Sequence, residues 1–350
     1  MSGPSLDRFI ERMPKAELHL HLEGSIRPAT LLQLASRHRV DLPATTVEGV
    51  RQWFRFGDFA EFVEIYLACS ACLRDPEDFQ LAADELMAEL ERQNVAYCEA
   101  HLTVGTHAGN GVNVGELADA MAEVIEQGRR RRGVVLRLIT DIVRNVPEQA
   151  DLTLEWALAE RRRSVVALGL SGFESESNEP FREHFAEAER QGLHRVAHAG
   201  ENTDAVNIRQ ALSQCRPERI GHGIRAVEDP ALLEELRAAG VPLEVCPSSN
   251  VSLCAVPSLE QHPFDRLLRA GLEVTVNTDD PAFFDVTLNE EYRRVQRTWG
   301  YSADELAGFS MAALRHAFLE PADRERMEAE FRSRFVQLGE EELGEAVIPR

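Results

Sequence analysis

The chain has 350 residues, of which 44% are hydrophobic and 28% are charged. This length is sufficient to bury a sizeable core, and α/β barrels routinely exceed about 250 residues while folding as one domain. The formal net charge is −21 at pH 7. An acidic chain without a basic stripe does not suit the phosphates of nucleic acids or an anionic membrane surface, so we expect neither as a partner.

The longest run of positive charge is Arg129 to Arg132, at the end of an amphipathic helix pattern. This position predicts a solvated helix terminus, because cations there complement the helix dipole. No apolar run approaches the roughly 18 residues that a membrane span requires. Residues 1–12 also lack the apolar segment of a signal peptide. We therefore expect a cytoplasmic protein, and the sequence carries no prediction of its oligomeric state.

The first predicted strand lies within Ala16 to Gly24, where leucine and histidine alternate. With a period of two, its three leucines fall on one side, and His19 and His21 fall on the other. Neutral imidazole is a frequent zinc ligand, so this pattern favours an internal metal site. The alternative on this segment alone is a pair of buried histidines that are only hydrogen-bonded.

After this strand, residues 26–94 are patterned as several helices and are too long for an ordinary barrel connection. The segment Phe54 to Phe62 within it is rich in phenylalanine. We expect this helical insertion to cover the mouth of a barrel, with an ordinary core role for the phenylalanines as the alternative.

The rest of the chain alternates β-rich runs with helical patterns. The further predicted strands are Val95 to Thr103, Val134 to Val143, Val165 to Phe173, His194 to Glu201, Arg219 to Gly223, Pro242 to Ser248 and Leu272 to Asp279. The predicted helices between them include Val114 to Arg131, Glu179 to Gln191, Ala205 to Gln214, Pro230 to Ala239 and Pro263 to Ala270. Eight such strands predict an α/β fold, a TIM (β/α)8 barrel that forms one domain over residues 1–350. A doubly wound open sheet is the alternative, and residues 303–350 are predicted to be closing helices.

Polar residues end several of these apolar strands, which is where a TIM barrel builds its active site. Together with the histidines of the first strand they are His19, His21, His198, Glu201, His222, Asp279 and Asp280. We expect these side chains to converge on one mouth.

A mononuclear zinc site needs three or four nitrogen or oxygen ligands and an open position for water. The residues that could serve as ligands are His19, His21, His198 and Asp279. Glu201 and His222 would then be free to titrate, and Asp280 would be free to hydrogen-bond a substrate. Adjacent carboxylates such as Asp279 and Asp280 repel each other unless a cation or donor is close. Lys15 is the one lysine and precedes the first strand, which excludes a carboxylated-lysine bridge and predicts one zinc per chain.

Five motifs occur in an order that resembles the adenosine and adenine deaminase family of the amidohydrolase superfamily. They are Leu18-His-Leu-His-Leu-Glu-Gly24, His198-Ala-Gly-Glu201, Ile220-Gly-His-Gly223, Glu244-Val-Cys-Pro-Ser-Ser-Asn250 and Asn277-Thr-Asp-Asp-Pro281. The similarity extends from Pro14 to about Leu319. It implies hydrolytic replacement of the 6-amino group of a purine by oxygen, with release of ammonia.

The resemblance also implies roles for single residues. The zinc ligands are His19, His21, His198 and Asp279. His222 orients and helps to deprotonate the zinc-bound water, so that Glu201, His222 and Asp279 form the catalytic group. Glu201 protonates purine N1, Asp280 hydrogen-bonds N7, and the backbone of Gly172 donates to N3. Ser249 supports the site from behind, and His21 and Glu23 lie on the substrate side.

The resemblance leaves the substrate open between three purines. Relatives that act on free adenine share a glutamate at the position of Glu23, whereas the pair Ser171-Gly172 is similar to that of nucleoside deaminases. Adenosine or an adenosine derivative is the expected substrate, and adenine is an alternative. Aminodeoxyfutalosine is another, because deaminases of menaquinone biosynthesis share the arrangement seen at Ala255 to Pro263. A non-catalytic barrel that only binds a ligand is a remote alternative, since neither a predicted zinc ligand nor the N1 acid is lost.

Overall fold

A computed structural model describes residues 4–349 of the chain, and eight parallel strands form its centre. Each strand pairs with the next along the chain. The strands are β1 (Lys15–His21), β2 (Val95–Leu102), β3 (Val135–Val143), β4 (Val165–Ser171), β5 (His194–Ala199), β6 (Arg219–His222), β7 (Leu243–Val245) and β8 (Val274–Val276).

The sheet closes on itself between its first strand and the residues that follow its last. Leu20 forms a parallel bridge with Asp279. The backbone N–H of His21 donates to the carbonyl of Asp279 at 2.8 Å, and that of Asp279 donates to the carbonyl of His19 at 3.1 Å. An open sheet would leave these two edges unpaired. The prediction of a TIM barrel is therefore confirmed, and the open-sheet alternative is wrong.

Helices surround the barrel. They are α1 (Pro4–Arg12), α2 (Pro28–His38), α3 (Val47–Trp53), α4 (Phe59–Ser70), α5 (Pro76–Arg92), α6 (Val104–Gly109), α7 (Val114–Arg132), α8 (Ala150–Glu160), α9 (Arg182–Arg190), α10 (Ala205–Gln214), α11 (Pro230–Ala239), α12 (Pro247–Ser252), α13 (Phe264–Arg269), α14 (Leu288–Trp299), α15 (Ala303–His316) and α16 (Pro321–Leu343). α10 and α11 have the predicted bounds because Asp204 and Asp229 cap them, each accepting from two backbone N–H groups of the first turn.

The helices between β1 and β2 differ in what they contact. α5 packs against β2 and α7, in the place of an ordinary barrel helix. α4 lies over the barrel mouth, where Phe59 contacts Phe173 of the loop after β4 with ring centroids 5.4 Å apart. At the other end of the chain, α15 packs against β1 and β8, and α16 packs against α1.

Lys15 begins β1 at the end of the barrel opposite the mouth. The side chain is fully buried. Its ammonium donates to the backbone carbonyls of Met13 at 2.8 Å and Gln93 at 2.9 Å. Lys15 therefore serves to hold the start of β1. Within residues 4–349, no helix combines the length and apolar character needed to cross a membrane.

Candidate active site

The ends of three strands bring together the four predicted zinc ligands. β1 carries His19 and His21 on its inward face, β5 carries His198, and Asp279 follows β8. One nitrogen or oxygen atom from each of these residues lies within 4.8 Å of those from the other three. All four side chains are buried. The alternation of β1 thus places both of its histidines at one point inside the barrel.

Two of these imidazoles face each other. Nδ1 of His198 lies 3.0 Å from the backbone carbonyl oxygen of Leu170. A carbonyl can only accept, so Nδ1 carries the proton and Nε2 is left as an acceptor. That Nε2 lies 3.3 Å from Nε2 of His21. The same atom of His21 lies 3.3 Å from Oδ1 of Asp279. The acceptor of His198 and the carboxylate of Asp279 therefore both lie 3.3 Å from the same nitrogen of His21.

His19 is oriented by a buried network that extends down the barrel. Its Nδ1 lies 2.9 Å from Oε2 of Glu244. Burial acts to raise the pKa of Glu244, but the guanidinium of Arg219 and the bond to His19 lower this pKa to about 2. Glu244 is thus an ionised acceptor, and His19 donates from Nδ1. Nε2 of His19 has no hydrogen-bond partner and lies 3.5 Å from Oδ1 of Asp279.

This donor set fits a zinc ion. Imidazole nitrogens and a carboxylate oxygen are zinc ligands, and at these distances their lone pairs need a metal ion or a proton between them. Within the described residues, Asp279 forms no ion pair with a lysine or arginine. A divalent metal would supply the missing positive charge, and the carboxylate of Glu244 would fix one ligand from behind.

The adjacent carboxyl groups of Asp279 and Asp280 differ in their hydrogen bonds. The hydroxyl of Ser249 donates to Oδ2 of Asp279 at 2.6 Å. Oδ1 of Asp280 has no hydrogen-bond partner. Burial, and then the charge of Asp279, raises the pKa of Asp280 well above its usual range. A Cβ at Gly24 would lie 1.8 Å from Oδ1 of Asp280, so the glycine that ends the first motif makes room for this carboxyl group.

Glu201 and His222 lie beside the cluster. Nε2 of His222 is 3.7 Å from Oε2 of Glu201 and 3.9 Å from Oδ2 of Asp279. Burial, and then the charges of Asp279 and Glu174, raises the pKa of Glu201 well above its usual range. Burial also lowers the pKa of His222 to about 3. Two groups with pKa values displaced in this way are suited to acid–base chemistry.

A cavity of about 140 Å³ opens over these residues. The site side chains that line it are His21, His198, Glu201, His222, Asp279 and Asp280. The rim is mostly apolar and is formed by α4, with Phe59, Val63 and Leu67, and by Val146 after β3. The cavity therefore has a polar floor and an apolar entrance.

One wall of the cavity is the pair Ser171-Gly172. Gly172 has φ of +86°, and a Cβ there would lie 3.1 Å from the backbone nitrogen of Arg144 and 2.6 Å from Oδ1 of Asn145. A side chain is excluded on both counts, by the backbone conformation and by the space. The wall therefore presents backbone to whatever binds in the cavity.

Three predicted site residues lie behind the cavity surface: His19, Glu23 and Ser249. Oε1 of Glu23 accepts from the backbone N–H of Thr103 at 2.9 Å and from its hydroxyl at 2.6 Å. The same oxygen lies 2.9 Å from Nε2 of His107. Glu23 is thus bonded into the wall and is not among the residues that line the cavity.

Arg144 is a polar residue directly after β3 and has no predicted role. Its buried guanidinium donates to Oδ1 of Asn178 at 2.7 Å and to the carbonyl oxygens of Gly172 at 3.4 Å and His198 at 2.5 Å. Arg144 therefore ties a cavity wall to the backbone of a predicted ligand. Its position after a strand was the available signal.

A larger cleft, of about 990 Å³, lies outside the barrel wall, between α3, α5 and the residues after β8. It is lined by Arg27, Arg51 and Phe283 among others, and by none of the four predicted ligands. The predicted site residues that reach a cavity surface therefore line the smaller cavity.

The chain is similar over most of its length to proteins of one family. A model of the family "Adenosine deaminase" matches residues 14–333. An aminodeoxyfutalosine deaminase of Streptomyces avermitilis is 38% identical over 333 residues, which cover 94% of this chain and 93% of that protein.

Solved structures agree. The crystal structure of an adenine deaminase from Arthrobacter aurescens has a TM-score of 0.87 and 32% identity, covering 92% of this chain and 98% of that one. An amidohydrolase from Burkholderia ambifaria with bound zinc has a TM-score of 0.90 but 22% identity, covering 99% of this chain and 96% of that one, so it supports the fold alone. The chain therefore belongs to the adenosine deaminase family and is a hydrolytic deaminase of the amidohydrolase superfamily.

Proposed function

We propose that this protein removes the 6-amino group of an adenosine-type nucleoside by zinc-dependent hydrolysis, giving the inosine-type product and ammonia. The observation that carries the nucleoside assignment is the wall at Gly172, which has no side chain and leads to an open apolar rim. Backbone at this place leaves space on the side of the purine where N9 carries its sugar.

In this proposal His19, His21, His198 and Asp279 hold one zinc ion. The contacts of His198 with Leu170 and of His19 with Glu244 support it, because each fixes a tautomer that directs a bare Nε2 inward. When bound, zinc lowers the pKa of a coordinated water to about 7 and so makes a nucleophile available near neutral pH.

Glu201 and Asp280 would then meet the purine ring. Attack at C6 destroys the aromaticity of the ring and moves an electron pair onto N1, so N1 must receive a proton, and a buried carboxylic acid at the cavity floor can supply it. N7 is an acceptor, so Asp280 must carry a proton to bond to it. Both carboxyl groups line the cavity. Ser249 supports Asp279, and Glu23 supports the wall behind the sugar side through Thr103.

A panel of adenine, adenosine, deoxyadenosine, methylthioadenosine and aminodeoxyfutalosine at equal enzyme concentration tests the proposal. We expect a nucleoside to be deaminated with kcat/KM at least about tenfold above adenine, which corresponds to roughly 1.4 kcal/mol in transition-state binding. The opposite ranking would reassign the protein as an adenine deaminase. The variant His198→Ala, which should bind no zinc, controls for a contaminating activity.

A 5′-modified adenosine is the second candidate, favoured by the composition of the rim. Phe59, Val63 and Leu67 offer few hydrogen-bond partners to ribose hydroxyl groups, and Leu67 is 48% exposed. An apolar 5′ substituent would cover this surface. Aminodeoxyfutalosine would displace adenosine if it alone reached about 10⁴ M⁻¹s⁻¹ or more in the panel.

A further inference from the structure

A chain of hydrogen bonds behind His222 starts from a backbone N–H group, which can act only as a donor. The backbone N–H of Phe264 donates to Nδ1 of His262 at 3.1 Å. A backbone N–H can only donate, so Nδ1 of His262 is an acceptor. His262 is buried, and burial lowers its pKa to about 4. The ring is therefore neutral at pH 7, and its proton is on Nε2.

The proton on His262 fixes the side-chain amide of Asn250. Nε2 of His262 lies 3.1 Å from Oδ1 of Asn250, and the amide oxygen accepts from it. Nδ2 of Asn250 then points the other way, 3.2 Å from Nδ1 of His222 and 3.5 Å from Oε1 of Glu201. Both contacts suit a donor. All of these side chains are buried, so no competing solvent contact reverses the amide.

This chain of hydrogen bonds determines the tautomer of His222, whose ring faces the cavity. Nδ1 of His222 accepts from Asn250, so its proton must be on Nε2, the atom that lies between Glu201 and Asp279. We propose that Asn250 and His262 are positioning residues that hold His222 as its Nε2–H tautomer, so that His222 donates a hydrogen bond to the attacking water and does not take its proton. This inference rests on the proposed function.

The proton of the attacking water then needs another acceptor. Oδ2 of Asp279 lines the same cavity, 3.9 Å from Nε2 of His222. As the water oxygen bonds to C6, its O–H bond breaks and that proton passes to Oδ2 of Asp279. The electron pair of the C6–N1 double bond takes the proton of Glu201 at N1. The step adds one water to the ring and leaves the number of protons unchanged.

The tautomer is measured on the zinc-loaded protein labelled with ¹⁵N-histidine, by long-range proton–nitrogen correlation spectra. The His222 signals are those missing in His222→Gln. We expect a neutral ring with the proton on Nε2 in the unaltered protein. A proton on Nδ1 would overturn the proposal.

Variants of Asn250 and His262 test whether the His222 tautomer and kcat change together. Asn250→Asp replaces the donor by an acceptor, so the proton should move to Nδ1 and kcat should fall by about 10² with KM nearly unchanged. His262→Gln keeps a donor toward Asn250 and should retain the tautomer and at least about a third of kcat, whereas His262→Phe removes the donor and should lose both. Equal kcat in the two His262 variants, with the His222 tautomer unchanged in both, would contradict the relay.

A further comparison separates donor from base at His222 itself. The amide of His222→Gln can donate to water but cannot take a proton, so its kcat should exceed that of His222→Ala by about tenfold or more. Equal losses would support a base and overturn the proposal. The spectra need no turnover. Failure to deaminate any compound in the panel would therefore count against the proposed function alone, and a wrong tautomer in an active enzyme would count against the relay alone.

Discussion

Lowering the pH should weaken the fold, and the buried imidazole of His262 should contribute a measurable part of this effect. Its side chain is 4% exposed, and burial lowers its pKa from 6.5 to about 4. The unfolded chain therefore binds this proton at a higher pH than the folded protein does. The contribution to stability is fully present above about pH 6.5 and is lost progressively as the pH falls to about 4. With 1.36 kcal/mol per pH unit, the full difference is about 3 kcal/mol, of which about 2 kcal/mol falls between pH 7 and pH 5.

Urea unfolding with excess zinc, followed by tryptophan fluorescence, measures this effect. Trp299 lies beside His262, with ring centroids 6.3 Å apart, and provides a local probe. Other groups also titrate over this range, so the informative quantity is the difference from His262→Gln, which keeps a polar side chain without a titrating ring. We expect the unaltered protein to lose about 2 kcal/mol more than this variant between pH 7 and pH 5. Parallel losses in the two proteins would refute a buried neutral His262.

Three further outcomes can be measured directly. Metal analysis should find about one zinc per chain, and His198→Ala should lose both the metal and turnover; two tightly held metals per site would contradict this. Glu201→Gln should keep the metal but lose about 10² to 10⁴ in kcat, because an amide cannot protonate N1, and more than about a tenth of the original turnover would exclude the acid role. Arg144→Met should lower the free energy of unfolding by about 3 kcal/mol or more, because two buried acceptors and one part-buried acceptor lose their donor. Arg144→Lys should cost less, and equal losses in the two variants would show that hydrogen bonding by Arg144 is unimportant.

The local sequence pattern was sufficient to predict the strands and helices and several residues at the barrel mouth. The alternation in Lys15–His21 put His19 and His21 on one inward face, and carboxylates before the first turn marked the starts of α10 and α11. These features depend on neighbours in the sequence. The barrel followed from the number and spacing of the strands, since parallel strands with helical crossovers allow few other arrangements.

The strands were harder to delimit at the mouth than at the opposite end. β5 was expected to reach Glu201 and β8 to reach Asp279, yet they end at Ala199 and Val276. The backbone turns there, with positive φ at Gly200 and Asp279. A left-handed aspartate cannot be recognised from alternation, because the surrounding fold supplies the hydrogen bonds that hold it in place.

Partners that are distant in sequence could not be predicted either. Arg219 on β6 neutralises Glu244 on the neighbouring β7, and Asn250 joins His262 to His222. Each link joins residues from different elements. Tertiary packing decides which polar residues contact each other, and these contacts cannot be predicted from a single sequence. Family resemblance gave roles to the predicted zinc ligands and to Ser249, but none to Glu244 and Asn250, which bond the rings of His19 and His222.

The burial of Lys15 has a consequence for handling the protein. It is the one lysine in the sequence, and its amine is enclosed at the base of β1 with both carbonyl partners. No lysine side chain is therefore available at the surface. Reagents that target lysine amines, such as succinimide esters, glutaraldehyde or aldehyde-activated supports, have no lysine to couple to on the folded protein. Surface carboxylates and the exposed thiol of Cys254 are the side chains that remain for cross-linking and immobilisation.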